Sequence, residues 1–256
     1  MSESLAQSGK WDVYMAQYEN GSGSTTVNMD LINSAPKAEL PFVLITGVTI
    51  ENCRDDGFPN AEEFKNLYEI SDAVGERLQE LTKIELAGTF TYRCERLDYL
   101  YVSDTSLIRE ELITLYQTKF AAYKYYVNIK TDAHWEAYLQ FLYPNEVTQE
   151  YMANEKVLMQ LQQAGDDLTK SRKVDHWLYF ATEESKKMFL KYVKKKGFRV
   201  EGEDKIGGSE LPFQLHISRN DPVSPNEISS LTLDLRRRAE EFKGDYDGWE
   251  TIVIKE

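Results

Sequence analysis

The 256-residue chain is poor in the residue types that usually carry chemistry. It has three histidines, His134, His176 and His216, and two cysteines, Cys53 and Cys94. No HxxxH or CxxC spacing occurs, so the zinc signatures are missing. Two cysteines provide no disulfide framework, and cytosolic thiols stay reduced, so both are read as free. Walker, GxGxxG and GxSxG motifs are absent, which removes the phosphate-cradling and nucleophile-elbow signatures. No apolar run approaches the ~18 residues of a membrane helix. Met1 to Trp11 lacks a basic segment followed by an apolar one, so no secretory signal is expected and the chain is read as cytoplasmic. Positive charge is also scarce. Thirty Lys and Arg face 43 Asp and Glu, a net of −13, which opposes binding to a phosphate backbone.

Aromatic residues, by contrast, are plentiful at 12%, with 16 Tyr, and can fill a sizeable core. Residues 1–149 hold 23 acidic and 12 basic side chains, whereas residues 150–256 hold 20 and 18. The shift suggests two units with different surfaces. Pro144 marks the break, because Trp135 to Tyr143 reads as a short aromatic helix or turn that proline ends. We therefore expect domains at 1–147 and 148–256.

Periodicity orders the elements. In the second half a helix opens at Tyr151 and is capped at Gly165. Val174–Ala181 follows as a strand, and Thr182 caps a helix carrying Met188, Phe189, Tyr192 and Val193 on its apolar stripe. Next come strands at Phe198–Glu203 and Leu211–Arg219, a helix at Pro225–Phe242 and a strand at Trp249–Ile254, which makes Asp245–Gly248 a tight acidic turn. In the first half, Phe42–Ile50 is a strand. A helix with a capping-box start at Asn60–Glu63 runs to about Lys83. A hairpin at Glu85–Arg93 and Asp98–Ser103, a helix at Ser106–Phe120 and a strand at Tyr123–Lys130 complete it. Strands at Trp11–Tyr18 and Ser24–Ile32 precede all of these. Both halves read βαββαβ. The expected fold class is α+β: two tandem ferredoxin-like α/β sandwiches, the first with a two-strand N-terminal extension and the second preceded by a helix.

Few residues select a reaction. Asp55 and Asp56 lie in the loop Arg54–Pro59, where two adjacent carboxylates supply too few oxygens for a hard cation. Asp166–Asp167 and Asp245–Gly248 fall short in the same way, so no metal or cofactor is expected. His176 reads as a strand residue with one satisfied nitrogen, and Trp177 and Trp249 read as core. Lys186 to Arg199 holds seven Lys or Arg. They suit a solvated helix face and a helix C-terminus better than an RNA site.

Gly165-Asp-Asp-Leu168, Arg172-Lys-Val-Asp-His-Trp-Leu-Tyr-Phe180, Gly197-Phe198 and Tyr246-Asp-Gly-Trp-Glu250, taken in order, resemble the regulator of ribonuclease E activity B family of bacteria. Trp11-Asp-Val-Tyr14, Asp55-Asp-Gly-Phe-Pro59, Tyr99-Leu-Tyr-Val102 and Trp135-Glu-Ala-Tyr-Leu-Gln-Phe-Leu-Tyr-Pro144 resemble a second bacterial family, domain of unknown function 695. The first resemblance implies a non-enzymatic, acidic protein that inhibits a ribonuclease of the E/G type by binding it, so that the partner is a protein rather than nucleic acid or a membrane. Asp175, Asp245, Asp247 and Glu250 are the candidate contact patch, near the ends of neighbouring strands. Two alternatives stand beside this reading. One is an enzyme of unknown reaction with an inter-domain site near Asp55, Asp56 and His134. The other is direct RNA binding through the lysine helix.

Overall fold

The computed structural model describes residues 9–255. The chain divides into two compact units between Pro144 and Asn145. Both are α+β and built on antiparallel sheets.

The first unit contains β1 (Trp11–Tyr18), β2 (Gly21–Asn28), β3 (Phe42–Thr49), α1 (Glu63–Leu81), β4 (Ile84–Tyr92), β5 (Glu95–Val102), α2 (Ile108–Lys119) and β6 (Tyr125–Thr131). The strand order is β1-β2-β4-β5-β3-β6. The last four positions, read from β6 inward, are the ferredoxin-like arrangement of a βαββαβ repeat. The β1–β2 hairpin extends that sheet beyond β4. One sheet face buries Leu44, Val48, Leu100 and Val102 under the apolar stripes of α1 and α2, including Leu67, Val74, Leu78, Leu112 and Tyr116.

The opposite face carries an aromatic layer closed by a π-helical turn at Ala137–Leu142. Trp135 is fully buried, stacks on Tyr101 at 3.8 Å between centroids, and donates from Nε1 to the Leu40 carbonyl. The Asp132 carboxylate accepts from Tyr101 Oη at 2.7 Å and from the Glu136 and Ala137 amides. It thereby satisfies the orphan donors of that turn. Tyr14 Oη donates to the Leu142 carbonyl. The motif residues around Tyr14 and Trp135 thus hold the unit together.

Three local readings are corrected. The capping box at Asn60 does not form; Asn60 Nδ2 donates to the Asn52 carbonyl, and the buried Glu63 carboxylate takes Asn52 Nδ2 and Tyr123 Oη instead. The β4–β5 turn is only Arg93-Cys94, both at positive φ (49° and 62°) without a glycine or asparagine. Finally, Cys53 and Cys94 are disulfide-bonded rather than free. The hairpin turn folds back so that Ile50 donates to the Cys94 carbonyl and Cys94 to the Gly57 carbonyl. This brings the Cα atoms to 5.6 Å across a sequence separation of 41.

The second unit contains α3 (Glu146–Gln163), β7 (Arg172–Phe180), α4 (Glu183–Lys195), β8 (Arg199–Lys205), β9 (Phe213–Asp221), α5 (Pro225–Glu241) and β10 (Gly244–Thr251), in sheet order β10-β7-β9-β8. Asn145 caps α3, accepting from the Thr148 amide, and Thr182 caps α4, accepting from Ser185. Phe189, Leu190 and Val193 of α4 and Leu235 and Ala239 of α5 pack on Leu178, Phe180, Leu215 and Ile217. α3 adds Leu158 and Leu161 against Val174. All three helices therefore cover the same sheet face. The final strand starts earlier than expected, and Asp245–Gly248 lies within it rather than in a turn. Gly248, at φ +151°, opens a bulge that keeps β10 paired to β7. Ile252, Val253 and Ile254 run past the end of pairing, with Ile252 69% exposed. Among the described residues no helix is long and apolar enough to cross a membrane.

Candidate partner-binding face

Strand alternation divides β7 into two sets. Val174, His176, Leu178 and Phe180 point into the core, and Lys173, Asp175, Trp177 and Tyr179 point to the face that no helix of the unit covers. Register adds His216 opposite Trp177, Ser218 opposite Asp175 and Gln214 opposite Tyr179 from β9, and Glu250 opposite Asp175 from β10.

These side chains form a network. Asp175 Oδ1 accepts from His216 Nε2 at 2.7 Å and from Lys173 Nζ at 2.9 Å. A carboxylate only accepts, so His216 carries its proton on Nε2. Partial burial pushes the Asp175 carboxyl up, but the hydrogen bonds and charges of Lys173 and His216 outweigh it, and the net direction is down. Asp175 is therefore an ionised, partly buried carboxylate whose Oδ1 is already engaged by Lys173 and His216. Ser218 Oγ donates to Glu201 Oε1 at 2.6 Å, which lowers the Glu201 pKa, and Lys173 reaches Glu201 at 3.5 Å. Gln214 Nε2 donates to Tyr179 Oη. Trp177 stacks on His216, with ring centroids 4.6 Å apart and planes 12° from parallel.

The four candidate patch residues are placed as follows. Asp175 and Glu250 face each other across β7 and β10. Asp247 is exposed on the bulge beside Gly248. Asp245 pairs with Tyr179 at the other end of the strands, 3.3 Å from Arg236. Arg236 also binds the buried Glu150 at 2.7 Å. The other candidates, Asp55, Asp56 and His134, are not gathered. Asp56 is tied to Arg54 in the turn beyond the Thr49 end of β3, whereas exposed His134 follows Thr131, which pairs with Phe42 at the opposite end. An eight-residue strand spans ~23 Å. Among the described residues no group of three His, Cys, Asp or Glu could hold a metal.

Trp177 is corrected from core to open face. Trp249 is half-buried against α3 and donates from Nε1 to Asn154 Oδ1 at 2.7 Å. Asp166, read as a turn residue, forms a buried ion pair with Arg172, and Asp167 accepts from Thr169 in an Asx turn. The core alternation of β7 was the signal for the open face, but His216 and Gly248 join it only through register.

A family model described as a family of unknown function, DUF695, matches residues 9–143. The chain belongs to the DUF695 family. A second model, Regulator of ribonuclease activity B, matches residues 152–251 of this DUF695 protein. That match takes in β7 to β10 and the face just described, so the second unit resembles a regulator of ribonuclease activity. No curated protein matches the chain. Two solved structures are similar to it at 11% identity. One is an unknown protein from Galdieria sulphuraria, covering 83% of this chain and 99% of that one with a TM-score of 0.22. The other is a putative glycine cleavage system transcriptional repressor, covering 84% and 98% with a TM-score of 0.21. At those scores neither informs fold or function.

Proposed function

We propose that this chain is a non-enzymatic regulator of RNA metabolism that binds a ribonuclease of the E/G type and inhibits it. The observation that carries the reading is the uncovered, carboxylate-bearing sheet face centred on Asp175, in the unit that resembles a ribonuclease regulator. An open sheet face is rigid, because β7 and β9 are fixed by the helices beneath them, so its groups are pre-ordered for a partner. Asp175, Asp247 and Glu250 supply negative charge there, and Asp245 adds to it at the strand end.

The test is RNA cleavage by a purified E/G-type ribonuclease from the same host, with added wild-type protein or a variant carrying Ser at positions 175, 245, 247 and 250. Wild type slows cleavage. The four-serine variant binds more weakly, and its affinity responds less to salt, because the screened attraction has been removed. Unchanged affinity and salt response would sink the patch. Failure of wild-type protein to bind or slow the ribonuclease would sink the regulator reading.

A further inference from the structure

The Trp177–His216 pair is a stack with its third place open. The rings are nearly parallel at 4.6 Å, close to the ~4.8 Å spacing of adjacent strands. Their planes therefore stand across the sheet, one ring per strand. The next strand in that row is β10, and the residue opposite Trp177 there is Gly248. Among the described residues other than its chain neighbours Asp247 and Trp249, nothing lies within 4 Å of where a Cβ on Gly248 would sit, so no side chain of β10 at this register position stacks beside Trp177, which is itself partly exposed. Glycine is also required by the backbone, since φ +151° disfavours any side chain.

Carboxylates surround this vacancy. Asp175 and Glu250 form the adjacent cross-strand pair on one side, and Asp247 lies on the bulge next to Gly248. Among the described residues Glu250 and Asp247 have no cationic partner, and both are exposed. Lys173 is already engaged by Asp175 and Glu201.

We propose that this slot receives an arginine side chain of a protein partner, its guanidinium stacked on Trp177 over Gly248 and bonded to Glu250 or Asp247. The occupant must be flat to continue the stack and cationic to sit among the carboxylates. Guanidinium is both; an ammonium is not planar, and a nucleobase brings a phosphate that these carboxylates repel. The inference rests on the protein-binding reading above and adds the chemistry of the contact.

The experiment is calorimetric titration of the full chain with an oligoarginine peptide, an oligolysine peptide of equal length and an oligouridylate, with ribonuclease binding measured in parallel. Oligoarginine binds more tightly than oligolysine, and Trp177→Leu weakens it roughly fivefold to tenfold, the scale of one stacked cation. Glu250→Gln is an exposed substitution that leaves packing alone, and it weakens oligoarginine several-fold. Equal affinity for the two peptides, or no effect of either substitution, overturns the slot even if the ribonuclease still binds. Binding of oligouridylate alone to the full chain, weakened by Trp177→Leu, also overturns it and assigns the face to RNA. Loss of ribonuclease binding by wild type, with the arginine preference intact, would fault the regulator reading and leave the slot standing.

Discussion

Acidification should weaken the second unit through His176, and the size of the effect follows from its surroundings. The imidazole is fully buried on the core side of β7. Nδ1 shares a 2.9 Å hydrogen bond with Tyr246 Oη, Nε2 has no partner among the described residues, and the ring meets Phe198 edge-on. Burial pushes its pKa from 6.5 down to about 3. In the fold the ring is therefore neutral, while in the unfolded chain it takes up a proton below about pH 6.5. Stability is fully present above pH 6.5 and falls by about 1.4 kcal/mol per pH unit until the folded pKa is reached. Two units of acidification below 6.5 remove about 2–3 kcal/mol, a large part of a typical domain's stability. The assay is urea denaturation at a series of pH values between 7 and about 4.5, read by hydrogen exchange of the β7 amides so that only the second unit is scored. His176→Gln serves as the non-titrating control and cancels the contribution of carboxylates common to both proteins. The wild type should lose about 2–3 kcal/mol more than the variant over that range. Parallel curves would refute the argument, because they would mean the ring is hydrated or charged in the folded state.

Reducing the Cys53–Cys94 bond, or replacing both cysteines with Ser, should destabilise the first unit by about 2–4 kcal/mol, the loop-closure contribution for a separation of 41; thermal unfolding with and without reductant checks it. Arg172→Ala should cost about 3–5 kcal/mol, because it strands the Asp166 carboxylate, whose side chain is 0% exposed. Chemical denaturation would expose an error here if the loss were under about 1 kcal/mol, the scale of a surface pair. Trp135→Ala should cost the first unit about 3–5 kcal/mol by emptying the space over Tyr101, measurable as a lowered urea midpoint.

Element order was legible because alternation and 3.6-residue periodicity are local. The apolar set Phe213, Leu215 and Ile217 and the Thr182 cap could be read without knowing the fold. What failed depended on partners far along the chain. Asp-Tyr-Asp-Gly has turn composition, yet pairing with β7 draws it into a strand and spends Gly248 on a bulge. Arg93-Cys94 lacks turn residues and bends because β4 and β5 pair tightly on either side. The cysteines meet only once that bend exists. At the candidate face, Asp175 and Glu250 could be proposed from strand position. Size alone points Trp177 to the core, although Lys173, Asp175 and Tyr179 share its face, and the open position at Gly248 is visible only in register.

Strand β3 has a consequence for synthesis. Its Val43-Leu44-Ile45 segment pairs with β5 and β6, both of which are encoded later. During translation this apolar strand leaves the ribosome roughly 80 residues before its outer partner β6 is complete. At about 5–20 residues per second, that is a wait of about 4–16 s. The β1–β2 hairpin can form at once but occupies the far side of the sheet and cannot shield β3. Nascent chains should therefore depend on a holding chaperone over this interval, and slowing elongation between residues 50 and 131 should lower soluble yield without altering the finished protein.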